Sequence, residues 1–501
     1  MLESNLSEGI SYRDASSMES DLWYNHVHKY VTLDECRPER VGSENETSAC
    51  MFRVSTALLK ECEDAYVPQI VSIGPYHYGK EELRGMLEIK WEAVSRIVVR
   101  ILLRKGSYRT SNEEEKDRFK EEMVNLSKQM VAKFGEKADD IKQCYDIKQC
   151  CDRETNLTND FLCSMMVPDA CFILEFFRCL LNESVVDKEN LERFFPKFGS
   201  KFNPVVRSEI MKDLIKLENQ IPLFVLEEIL AMEMGESLEI AQSELQILLK
   251  AVFHDIYYRP FDYVASGKSH RRNHILDIYY YCCLGDEVHQ GERQKAQDHR
   301  IFLGNSMEDL KKQQSERHKV PSAVQLEKGG LKIRASGKIQ DLRFEGRTLH
   351  IPPIQLESDS EIFIRNLMAL EVCSPHSPLR RMTAFVQFMN ELCQTEKGAA
   401  VMRENGVIVV SLGQDSEVAR LFSSCKQSRL LPSCHPIQRT RRKLIKFYSR
   451  KSRIAAAEAW NEFQKIYFSK PWFLIGGIGA TIILILTAVQ VFCLFHSCGA
   501  R

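Results

Sequence analysis

"VVRSEIMKDLIKLENQIPLFVLEEILAMEM", residues 205–234, decides the fold class. Val206, Ile210, Leu214, Leu217 and Ile221 recur at spacings of three and four, which predicts one helical stripe. Pro222 has no amide hydrogen and frees the Glu218 carbonyl, so the helix must bend or restart there. Leu223, Leu226 and Leu230 continue a stripe beyond it. Asn219 and Gln220 sit at the joint, where side-chain amides can bond the freed backbone. A catalytic role for Glu218, Asn219 and Gln220 is the sharper alternative, and a structural joint is the simpler one.

Outward from this joint the same periodicity repeats. "MLEIKWEAVSRIVVRILL" places Leu87, Trp91, Val94, Val98 and Ile101 on one face. "FLCSMMVPDACFILEFFRCLL", residues 161–181, is apolar nearly all round, which predicts a buried helix. Asp169 is expected to satisfy free amides where that helix begins after Pro168, and Glu175 and Arg178 can pair at a spacing of three. Further on, "LKIRAS", "IQDLRFEG" and "TLHIPPIQL" alternate apolar and polar residues as strands do. "SEIFIRNLMALEVC" returns to helix, with Ile362, Leu367 and Leu370 inward and Ser360 as a cap. "NGVIVVSLGQDSEVARLF" reads as a turn, a strand and a capped helix. The expected fold is therefore mainly α-helical with a small β-sheet (α+β), plus one C-terminal transmembrane helix.

That helix is the run from Trp472 to Phe495, "WFLIGGIGATIILILTAVQVFCLF", with no charge. At 1.5 Å per residue it would span roughly 36 Å, against a hydrocarbon core of about 30 Å. Upstream, "RTRRKLIKFYSRKSR" carries Arg439, Arg441, Arg442, Lys443, Lys446, Arg450, Lys451 and Arg453 and no acid. The positive-inside bias then predicts a single-pass, tail-anchored protein with a cytosolic body, in the plasma membrane or an endomembrane. The same cations would meet anionic lipid. The expected layout is a mobile tail over 1–25, and a body over 26–438 with a flexible insertion near 285–318. A basic juxtamembrane segment over 439–471, the anchor over 472–495 and a short tail over 496–501 follow.

Composition narrows the function classes. The formal net charge is -1 over 501 residues, and no nucleic-acid partner is indicated. The 17 cysteines contain no CxxC pair, which favours reduced core thiols over a secreted disulfide scaffold. The duplication "DIKQCY"–"DIKQCC" clusters Cys144, Cys150 and Cys151, and His270 and His274 lie four apart. Neither has the spacing of a metal site. Asn5, Asn45, Asn125, Asn156 and Asn182 head glycosylation sequons that matter only if the body is lumenal. P-loop, nucleophile-elbow, dinucleotide-binding, zincin and kinase signatures are absent from the sequence. No cofactor, metal ligand or catalytic residue is assigned, and the chain reads as a non-enzyme. An enzyme with a dispersed site near His77, Glu175 or Glu218 is the competing reading.

One more stretch stands out, "VPQIVSIGPYHYGK", residues 67–80. Gly74 can take a positive φ before Pro75 fixes the next residue and Gly79 closes the turn, which predicts a structural corner between a short strand and the first helix. Together with "MMVPDACFILEFF", "LIKLENQIPLFVLEEI", "VPSAVQLEKGGLKI", "LHIPPIQL" and "IRNLMALE", in that order, it resembles a plant family catalogued as domain of unknown function 247. The likeness covers about residues 26–495. Pro168 and Ala170 stand where relatives tend to have Leu and Gly. The resemblance implies no enzyme activity and therefore no catalytic residues. The helical body, the single anchor and the lack of catalytic motifs predict a membrane-tethered interaction module with an unknown protein partner, and the resemblance implies, as for some grass relatives, self-incompatibility recognition as an alternative.

Overall fold

The computed structural model describes residues 50–105, 113–145, 159–185, 203–257, 273–284, 320–337, 342–374, 380–410, 413–425, 435–449, 459–465 and 471–497. In chain order the helices are α1 (Thr56–Glu61), α2 (Leu87–Arg104), α3 (Glu113–Gly135), α4 (Ala138–Cys144), α5 (Asn159–Val185), α6 (Pro204–Ile215), α7 (Leu223–Met234), α8 (Leu238–Tyr257) and α9 (Ile275–Leu284). They continue with α10 (Ala323–Lys328), α11 (Ser360–Cys373), α12 (Arg381–Leu392), α13 (Glu396–Glu404), α14 (Asp415–Ser424), α15 (His435–Tyr448) and α16 (Pro471–Ser497). The strands are β1 (Lys332–Ala335), β2 (Arg343–Glu345), β3 (Thr348–Ile351), β4 (Ile354–Leu356) and β5 (Ile408–Val410). The described chain is mainly helical with little sheet, as expected.

Two compact units divide the chain. The first takes residues up to Glu292 together with Ser358–Met382. Its centre is α5, which packs on α2, α3, α7 and α8. Helix α5 is buried from Leu162 through Phe177 except at Ser164, because its side chains are apolar on every face. It runs unbroken through Pro168. Asp169 therefore does not start a helix, and its carboxylate turns to a distant loop instead. On α2, Ala93, Val94, Ile97 and Val98 are fully buried, while Leu87 and Trp91 are only half-buried. The buried face is rotated from the expected one because Lys90 lies inside, at 2% exposure.

The expected continuous stripe at 206–221 is also corrected. Helix α6 stops at Ile215 and α7 starts at Leu223, with Pro222 at its N-cap. Leu217 and Ile221 are buried from a non-helical connection.

The second unit holds Arg293–Glu357 and the chain from Thr383 onward. Strand β3 is central, parallel to β1 and antiparallel to β2, with Leu349 opposite both Ile333 and Phe344. Gly346, at φ +60°, makes the tight β2–β3 turn. Pro352 and Pro353 end β3, since neither can donate to a ladder. The chain then joins a separate parallel pair, β4 with β5, in which Ile354 opposes Ile408. Helix α14 carries a capping box between Gln414 and Glu417. In the first unit, α11 is preceded by Asp359 rather than capped by Ser360, and Ile362 is only half-buried.

The membrane reading is corrected. The C-terminal segment is helical over Pro471–Ser497, but its side chains are described only over 479–493. Among the described residues no helix is long and apolar enough to cross a membrane. A transmembrane helix bounded by Trp472 and Phe495 is therefore not supported. The membrane partner, the single-pass tail anchor and the membrane location with a cytosolic body are withdrawn with it. The lipid assignment of the basic run falls too. Arg441 is paired with Glu391, at 2.9 Å from Nε to Oε2, and Arg450, Lys451 and Arg453 lie outside the described residues.

Candidate functional site

The loop at 67–80 and the connection at 216–222 meet inside the first unit, and side chains from one bond the backbone of the other. The Asp213 carboxylate, at the end of α6, accepts from the amides of Gln69 at 3.0 Å, Ile70 at 2.7 Å and Val71 at 2.9 Å. Lys216 donates to Asp213 Oδ1 at 3.0 Å and to the Val67 carbonyl at 2.6 Å. Asn219 accepts from Ile73 N at 2.6 Å and donates to Val71 O at 2.9 Å. Gln220 donates to the carbonyls of Leu214 and Lys216, at 2.7 and 2.9 Å, and so satisfies the end of α6. Its Oε1 accepts from Leu276 N at 3.1 Å. The joint role expected for Asn219 and Gln220 is what the geometry provides.

The corner itself closes at Gly74. Its φ is +72°, and a Cβ there would lie 2.6 Å from the Gln220 carbonyl oxygen. The Gly74 amide donates to Asp169 Oδ2 at 2.7 Å. Asp169 also takes a bond from Lys90 Nζ, which reaches the Ser72 carbonyl as well. Burial raises the Asp169 carboxyl, while Lys90 and the Gly74 amide pull it back down. Tyr145 donates to the Gln220 carbonyl at 2.9 Å and meets Tyr76 edge-on at 5.7 Å. Tyr76 in turn donates to Met51 O at 3.0 Å.

His77 and Glu218 are brought together, with Nε2 3.0 Å from Oε2 and both side chains buried. Glu218 Oε1 accepts from Val54 N at 2.8 Å. Burial lowers the His77 pKa, against the opposing pull of Glu218, so the imidazole is neutral near neutral pH. Glu175 belongs to a different group. It pairs with Arg100 and, at 2.8 Å, with Arg178, and both arginines also hold Glu233, at 2.6 and 2.8 Å. Burial alone would raise the Glu175 carboxyl, but the two guanidiniums outweigh it and hold it below the usual range. The expected Glu175–Arg178 pair is thus one edge of a four-residue cluster that ties α2, α5 and α7. Five charged residues of these networks escaped the sequence reading, Lys90, Arg100, Asp213, Lys216 and Glu233. Each is a charged residue on or at the end of a helix, and bonds at least one group far away in sequence.

No group of metal-ligating side chains is present among the described residues. Buried His274 accepts from Asp277 N through Nδ1 at 3.1 Å, which is a helix-start contact. His270, Cys150, Cys151, Asn5, Asn45 and Asn156 lie outside the described residues. Asn125 is exposed on α3.

The corner lies inside the part of the chain that matches known proteins. A family model described as plant protein of unknown function, DUF247, matches residues 51–486. The chain belongs to this family. Two proteins of Arabidopsis thaliana are similar along most of their length. One, a putative UPF0481 protein, is 23% identical, over 91% of this chain and 92% of its own. The other, a UPF0481 protein, is 25% identical, over 89% and 86%. No solved structure matches. The family has no assigned function, so these likenesses carry no catalytic evidence in either direction.

Proposed function

We propose that this DUF247 chain is a protein-interaction module without catalytic activity of its own. One observation carries the reading. The buried acids and amides around the corner are engaged in holding a loop to a helix joint. Asp169, Asp213, Asn219 and Gln220 each bond backbone atoms far away in the chain, and each is at most 3% exposed. A catalytic acid or base needs a face open to substrate, and these side chains have none. Glu175 is separately held by two arginines, so the dispersed enzyme site loses one of its three named members.

The test is cross-linking capture with the full-length chain in plant cells, quantified by mass spectrometry. It is repeated with charge reversals of exposed residues that leave the melting temperature unchanged. A partner whose recovery drops with one such reversal is the expected result. If no partner depends on any exposed residue, the interaction reading fails. A turnover abolished by His77→Gln at unchanged melting temperature would replace it with a catalytic one.

A further inference from the structure

The second unit presents a surface that the fold itself does not use. Helix α15 is fixed on several sides. Ile437 and Leu444 are fully buried, Thr440 donates to the Leu342 carbonyl at 3.2 Å, and Phe447 meets Phe344 edge-on at 5.4 Å. Arg441 is held by Glu391. The remaining side of the helix carries Arg439, Arg442, Lys443 and Lys446, all exposed. Their spacings of three, four and seven align them in one stripe about 10 Å long. None forms an ion pair with a described residue.

A second feature lies in the same unit. Trp460 and Phe463 stack at 5.7 Å and an interplanar angle of 20°, on the helical stretch 459–465. They are 57% and 45% exposed. This stretch is tied to the end of α10, where Asn461 donates to the Lys328 carbonyl at 3.2 Å. The end of α15 reaches the next residue, since Tyr448 is the side-chain neighbour of Gly329. The helical stretch of the aromatic pair and the end of the helix that carries the cationic stripe therefore both meet the chain at Lys328–Gly329.

We infer that this surface docks an acidic, amphipathic segment of another protein, with carboxylates along the stripe and an apolar side chain on Trp460 and Phe463. The inference rests on the interaction-module reading and names the partner's chemistry. Aromatic and arginine side chains together are the composition of protein interfaces, with the aromatic as anchor and the charges as steering. Insertion into a lipid surface would need the apolar side of α15, and Ile437 and Leu444 are closed in the core. A nucleic acid would be expected to draw on a wider basic field than one line of four cations.

The probe is a fluorescein-labelled peptide of eighteen residues with glutamates on one helical face and leucines beside them, titrated into the full chain by anisotropy. Binding is expected, weakened about tenfold by Arg442→Glu with Lys443→Glu and about tenfold by 0.5 M salt. Trp460→Ala is expected to weaken it about thirtyfold. Both variants must keep the wild-type melting temperature, and a glutamine version of the peptide must not bind. The inference is overturned if the peptide does not bind, or binds equally well to the charge-reversed chain. It is also overturned if phosphatidylserine vesicles or a single-stranded oligonucleotide bind more tightly with the same residue dependence. Failure here while cellular capture still depends on other exposed residues would remove this surface and leave the module reading standing.

Discussion

Gly74→Ala separates two costs that a glycine can hide. The first is conformational, since an alanine at φ +72° sits in a left-handed region at a cost of about 1–2 kcal/mol. The second is steric. The new Cβ would lie 2.6 Å from the Gln220 carbonyl oxygen and 3.0 Å from the Tyr145 hydroxyl. That carbonyl cannot simply retreat, because Tyr145 and both flanks of the joint hold it, so crowding should add roughly 1–3 kcal/mol. Gly79 supplies the control. It has φ +80° with nothing within 4 Å of an added Cβ, so Gly79→Ala should cost the conformational part alone. The assay is native-state hydrogen exchange of the amides at Gln69, Ile70, Val71, Ile73 and Gly74, all bonded to side chains of the joint or to Asp169. At about 1.4 kcal/mol per tenfold, Gly74→Ala should speed their exchange about thirtyfold or more. Gly79→Ala should speed them by at most about thirtyfold, and by less than Gly74→Ala. Equal acceleration by both substitutions would refute the crowding argument and leave only the positive φ.

Lys90→Met should destabilise the protein by about 3–5 kcal/mol, because it leaves the Asp169 carboxylate buried without its cation. Adding Asp169→Asn should restore part of the lost melting temperature, and no recovery would mean that the two are not a coupled pair. His77 and His274 are both lowered from a usual value of 6.5 by burial, so the unfolded chain takes up protons that the folded chain refuses. Stability is then fully present above about pH 6.5 and is lost as pH falls toward the folded values, by up to about 1.4 kcal/mol per pH unit for each histidine. Melting curves between pH 7.5 and 5 should show this slope, and His77→Gln should reduce it, whereas a flat wild-type profile would contradict neutral burial. Thr395 caps α13 by accepting from Gly398 N at 3.3 Å, and Thr395→Ala should cost about 1 kcal/mol in thermal unfolding.

What the sequence made legible was local. Pro222 marks a bend or restart of the helix and Gly74 announces positive φ, because each acts on its own backbone or on its immediate neighbours. Periodicity found α2, α5, α7 and α11 but not α8, and it misplaced the inward face of α2. A lysine counts as a solvent residue in any such pattern, yet Lys90 is inside because Asp169 and the Ser72 carbonyl await it there. The length of α6 was misjudged for a related reason. Leu217 and Ile221 keep helical spacing and are buried, but Asn219 and Gln220 supply the hydrogen bonds that a helix would otherwise make.

The candidate site shows the same division more sharply. "SIGPYHYG" and "LENQ" each looked like a corner or a joint, and each is one, although the strand expected before the corner is absent and residues 67–73 are irregular. That they are two halves of one structure could not be read from either, since the bonds between them span about 140 residues of sequence, as from Gln69 to Asp213. Such pairings also explain why an acid, a histidine and an amide cluster here without open chemistry. A loop with six residues between Val67 and Gly74 exposes amides that must find partners once buried, and no strand lies alongside to supply them. Asp213, Asn219 and Asp169 take that place. The polar residues that most resemble an active site are therefore what a strand-less buried loop requires, and the surfaces with unsatisfied potential lie elsewhere, on exposed helices such as α15.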